Sequence, residues 1–162
     1  GVPMNYVAER VRAARRPPPE TPELVSRRTP LVLVIEDRPA VSAAIAELCA
    51  YLGVSVDRLG SERDLLRGFR ERRPMAVIAT LDGPAQDGCY VMMQLAEHDP
   101  TVPLLLLTGG NEILSGAADA VAELCALTAL TQASGLPDAA ELVAFLFRAG
   151  QAGRCLGLLP PS

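Results

Sequence analysis

The sequence predicts an α/β protein built on a doubly wound parallel sheet of five strands. Three observations predict it. The runs Leu31 to Ile35 and Ala76 to Thr80 are continuously apolar up to their last residue, the mark of strands buried on both faces rather than one. Each strand is followed by a segment with apolar residues at helical spacing. That strand–helix pair occurs five times with short connections, which implies parallel crossovers that place helices on both faces of one sheet.

Taken in order, Leu31 to Ile35 (LVLVI) ends at Glu36-Asp37, and Ala40 to Leu52 follows as a helix, with Pro39 suited to its first turn and Gly53 after its end. Val54 to Leu59 alternates and reads as a more exposed strand. Ser61 to Glu71 is the second helix, with Ser61 as its expected cap and Asp64 three residues on. The third strand, Ala76 to Thr80, runs into a loop carrying Gly83, Pro84 and Asp87-Gly88, which sets Thr80 at the carboxyl edge of the sheet, where α/β proteins keep their sites. Tyr90 to His98 is the third helix and Val102 to Leu107 the fourth strand, ending at Thr108. Asn111 to Cys125 is the fourth helix, Ala126 to Thr131 the fifth strand and Pro137 to Ala149 the fifth helix.

Three regions are expected: a basic arm and Pro-rich linker over 1–29, one domain over 30–150 and a tail over 151–162. The arm reads as a short Arg-rich helix (Tyr6 to Arg16) ended by Pro17-Pro18-Pro19. At 162 residues the chain is long enough to bury a full core in a single domain. No apolar run reaches the length needed to span a membrane, and no charged segment followed by an apolar one opens the sequence, so a cytoplasmic protein is expected. Its net charge of −4 and 4% aromatic content give no support to nucleic-acid binding by the domain.

Composition also excludes chemistry. All fifteen basic residues are Arg; there is no Lys, so a mechanism that needs an ammonium is closed to this chain. Its four cysteines (Cys49, Cys89, Cys125, Cys155) are too scattered for a metal or disulfide framework and read as reduced thiols. His98, the single histidine, falls at a helix end. Triad and His-based zinc chemistry have almost nothing to build on.

The acidic pair Glu36-Asp37 after strand 1, the P-x-x-D-G turn (Pro84 to Gly88) after strand 3 and Thr108 after strand 4, in this order, resemble the receiver domain of bacterial response regulators. The resemblance covers about residues 30 to 150 and implies a flavodoxin-like three-layer α/β/α fold and a place in two-component or phosphorelay signalling. In that family the residue four before the turn proline is the aspartate that accepts a phosphoryl group; here it is Thr80. The family's lysine at the end of strand 5 falls on Gln132, and its aromatic switch residue on Ala129. Glu36, Asp37 and Thr108 keep the pattern, while Thr80, Ala129 and Gln132 depart from it.

The departures remove the parts the reaction needs. Accepting a phosphoryl group requires a nucleophile already ionised at neutral pH, which a threonine hydroxyl is not. It also requires a divalent cation held by carboxylates and a further cation on the phosphoryl oxygens. Glu36 and Asp37 therefore read two ways: as acids stabilised by helix N-termini, or, with Asp82, as a weak Mg²⁺ site. Thr108 reads as a hydrogen-bonding cap before Gly109-Gly110 or as the family's inward-turning threonine.

The expected function is that of a pseudo-receiver: a non-enzymatic module, with no catalytic residues and no required cofactor, that signals through a protein partner without being phosphorylated. The expected surface is the face of helix 4, strand 5 and helix 5, which in the family mediates dimerisation. Ile113-Leu114 lie on it, with Val143, Leu146 and Phe147 as homodimer candidates provided they are exposed. Two alternatives stand beside it: a phosphoacceptor at Asp82, and a small-ligand sensor using the vacated strand-end pocket.

Overall fold

The computed structural model describes residues 27–60, 62–81 and 88–155. Over these the chain alternates β1 (Thr29–Ile35), α1 (Pro39–Tyr51), β2 (Ser55–Arg58), α2 (Glu62–Arg72), β3 (Pro74–Thr80), α3 (Gly88–His98), β4 (Leu104–Leu107), α4 (Glu112–Leu124), β5 (Leu130–Ala133) and α5 (Ala139–Ala152). The strands form one five-stranded parallel sheet, as the sequence predicts, and their order in it is β2-β1-β3-β4-β5. The arm before residue 27, the turn from 82 to 87 and the tail from 156 lie outside the described residues, as does the expected cap Ser61.

The apolar runs work because neighbouring strand residues point to opposite faces, so each run supplies two cores. Leu31, Leu33 and Ile35 of β1 join Val77 and Ala79 of β3 and Leu104 and Leu106 of β4 beneath α2, α3 and α4, through Leu65, Met92, Leu95 and Ala118. The alternate residues Val32, Val34, Ile78, Leu105 and Leu107 pack under α1 and α5, against Ile45, Cys49, Leu142, Phe145 and Leu146. Every residue of β3 is buried. A fully buried aliphatic side chain contributes about 1.5–3 kcal/mol by leaving water, and β3 is the strand that supplies such residues to both cores from the middle of the sheet.

Two features differ from expectation. β5 begins at Leu130 rather than Ala126, because Ala126 takes a left-handed backbone (φ 57°) and closes the C-terminus of α4; its N–H donates to Glu123 O at 3.2 Å. The stretch Ala126 to Thr131 is thus spent partly on a turn. Leu146, expected as a homodimer candidate, is fully buried in the second core and unavailable to a partner; Val143 and Phe147 are half-buried. Elsewhere boundaries move by a few residues. Asn111 sits just outside α4 and caps it, accepting from the N–H groups of Ile113 (3.0 Å) and Leu114 (3.2 Å).

The candidate site at the carboxyl edge of the sheet

β1 and β3 are paired, Ile35 opposite Ala79, so the residues that follow them, Glu36 and Thr80, emerge side by side at the carboxyl edge. Both are buried, at 9% and 2% exposure. The Thr80 hydroxyl donates to Oε2 of Glu36. A buried hydroxyl needs a partner, and here it finds one by turning its proton toward the acid.

The other partner of Glu36 is Arg38. The backbone N–H and Nε of Arg38 donate to Oε1 at 2.9 and 2.8 Å, and Nη2 donates to Oε2 at 2.9 Å. This is a two-pronged guanidinium–carboxylate pair, the geometry in which such contacts are strongest. Burial alone would raise the Glu36 pKa, but the hydrogen bonds from Arg38 and Thr80 and the guanidinium charge outweigh it and hold the carboxyl at about 2. Glu36 is therefore an anion at neutral pH, and its counterion is supplied from two residues away. Asp37 is exposed beside it.

Thr108 lies one strand further, at the end of β4. It is buried, and its hydroxyl donates to the carbonyl of Ala133 at 3.3 Å while its N–H donates to the same carbonyl at 2.8 Å. It ties β4 to β5 before Gly109 and Gly110, whose φ values of 66° and 78° suit glycine. Gln132 does not join Glu36. Its amide oxygen accepts from the Ser115 hydroxyl at 2.7 Å and its NH₂ donates to Asp119, so it braces β5 against α4. Ala129 is not brought to Thr108 either: its carbonyl accepts from Leu104 N–H at the opposite end of β4, roughly 13 Å along at ~3.3 Å per residue. Asp82 lies outside the described residues.

A family model for the response regulator receiver domain matches residues 32–133, more than half of the chain. The chain belongs to that family. This receiver domain is 29% identical over 82 residues to the probable transcriptional regulatory protein TcrX of Mycobacterium tuberculosis, an alignment covering 51% of this chain and 35% of that protein. It is 29% identical over 82 residues to the C4-dicarboxylate transport transcriptional regulatory protein DctD of Pseudomonas aeruginosa, covering 51% and 18%. The aligned region therefore spans about a third or less of these relatives. Among solved structures, the signal receiver domain of an HD domain-containing protein from Pseudomonas fluorescens matches with a TM-score of 0.63 at 20% identity, over 78% of this chain and 98% of that one. A response regulator receiver domain protein from Clostridium thermocellum gives 0.62 at 22% identity, over 76% and 96%. At such identities these structures speak to the fold.

Receivers generally bind Mg²⁺ at the phosphorylation site. The described residues here do not fit that ion. Both oxygens of Glu36 are taken by Arg38 and Thr80, Thr80 brings no negative charge, and no group of three acids, histidines or cysteines converges among the described residues. A cavity of about 480 Å³ lies near the sheet edge, but along β5 and α5, lined by Thr131, Gln132, Ser134, Glu141 and Arg148 rather than by Glu36 or Thr80. The sequence pointed to Glu36 and Thr80 and missed Arg38. Its signal was the Arg-Pro that follows the two acids.

Proposed function

We propose that this receiver domain is a pseudo-receiver, a signalling module of a two-component type system that works through protein contact without being phosphorylated. The observation that carries this reading is the Thr80 hydroxyl at the tip of β3, turned as a donor onto the Glu36 carboxylate where a phosphoacceptor would need to be an anion. The absence of Lys from the whole chain supports it, since no ammonium can meet the phosphoryl oxygens and the Arg38 guanidinium beside the site is held on Glu36. No turnover is assigned to it.

The partner would be a protein, a second copy included, met on the face formed by α4, β5 and α5. Ile113 and Leu124 on α4 are 83% and 86% exposed, which favours that face. A cytoplasmic setting accords with four cysteines that are all free.

The test is intact mass after incubation with acetyl phosphate and Mg²⁺. We expect no phosphoryl gain by the wild-type chain, nor by Thr80→Asp, because the lysine is still missing. A stoichiometric gain by the wild type, abolished by Asp82→Ala, would overturn the reading in favour of Asp82 as acceptor.

A further inference from the structure

We infer that Arg38 is a built-in cation that closes the acidic pocket of this receiver to divalent metal ions. The inference rests on the same reading of the pocket as an unphosphorylated one, and its test measures a different quantity. A carboxylate offers about four lone-pair sites, and Glu36 has four donors on them: the N–H, Nε and Nη2 of Arg38 and the hydroxyl of Thr80. An incoming hard cation would have to displace the guanidinium from a fully buried side chain and then share the pocket with it.

The local sequence holds Arg38 in place. Pro39 opens α1, and a residue before proline is pushed out of the helical region. Arg38 accordingly has φ −82° and ψ 111°, an extended backbone that lets both its own N–H and its side chain return to Glu36. A cation tethered two residues away competes at a high effective concentration. A guanidinium also never loses its proton in the working pH range. The four residues Glu36 to Pro39 thus form a self-neutralising unit: buried acid, exposed acid, counterion and the proline that sets the counterion's direction.

The test is titration of the full 162-residue chain with Mn²⁺, following the free ion by electron paramagnetic resonance. The wild type is expected to leave the free-ion signal no lower than Glu36→Gln does. Arg38→Ala and Arg38→Gln, which release Glu36, are expected to bind Mn²⁺ at least about tenfold more tightly than the wild type, allowing for the screening that a half-exposed Arg38 feels. The double variant Glu36→Gln/Arg38→Gln is expected to lose that gain. Arg38→Gln keeps much of the side chain's bulk if Arg38→Ala fails to fold. Wild-type binding that Glu36→Gln removes would overturn the inference, as would a gain that survives in the double variant or no gain in either single variant. Wild-type metal binding that Glu36→Gln removes, without phosphoryl gain, sinks this inference alone. Phosphoryl gain sinks the proposed function whichever way the titration falls.

Discussion

The two edges of the sheet each carry an arginine–carboxylate pair, and the pairs differ in what they join. At the carboxyl edge, Arg38 meets Glu36 across two residues of sequence. At the amino edge, Arg28 meets Asp99 at 2.9 Å and the Thr101 hydroxyl at 3.0 Å, across 71 and 73 residues. The Arg28 N–H also donates to the carbonyl of Gly153 at 2.7 Å, and a methyl group on Gly153 would stand 2.9 Å from Cβ of Arg28. One pair closes almost no loop and sets the charge of a pocket. The other fastens the segment before β1 to the α3–β4 loop and to the end of α5. Similar chemistry serves composition at one edge and topology at the other, because loop-closure entropy is at stake only in the second.

That contrast can be broken by substitution. The largest effect is expected from Arg38→Ala, which leaves the buried Glu36 carboxylate with the backbone N–H and Thr80 alone. We expect a loss of about 2 kcal/mol, below the full cost of splitting a buried pair because the Arg38 side chain is 52% exposed. Arg28→Ala is expected to cost about 1 kcal/mol, since Asp99 keeps the N–H and hydroxyl of Thr101 while the tie to the far loop is lost. Urea unfolding measures both. Arg28→Ala should also leave metal affinity untouched, so an effect on Mn²⁺ binding would break the division between the edges.

A smaller and sharper effect lies in pH. The folded Glu36 carboxyl is lowered from 4.5 to about 2, so the stability it contributes is fully present above about pH 4.5 and is lost as pH falls toward 2. The stability gap between the wild type and Arg38→Ala should therefore be constant near neutrality and narrow through that window. Asp99 is also lowered: burial would raise it, but Thr101 and Arg28 outweigh that. Arg28→Ala should thus show the same direction of change. A gap that widens as pH falls would contradict the assignment of Glu36 as the buried anion.

Much of this was legible in the sequence. The double-sided burial of β1 and β3 follows from unbroken apolar runs, and the edge position of Thr80 from the run ending there. Less was legible where a residue's role depends on backbone geometry. Ala126 looks like the start of the strand that the segment ALTALT suggests, yet it turns the chain at positive φ. Leu146 looks like any apolar residue of α5 until the helix phase buries it. Gln132 stands at the family's lysine position yet meets Ser115 and Asp119 on α4, because its place on β5 points it to the face that α4 covers. Arg38 does not stand where the family carries its cation, at the end of strand 5. The pocket's cation is an arginine placed by the proline after it.

The most direct measurement of the central claim is a pair of ¹⁵N–¹H correlation spectra of the chain, with and without beryllium fluoride and Mg²⁺, a phosphoryl mimic that needs an anionic acceptor and a metal. If the pocket takes no phosphoryl group, the amides of Glu36, Thr80 and Thr108 stay where they are. Shifts centred on those three residues would show a pocket that still takes a phosphoryl group, and would contradict it.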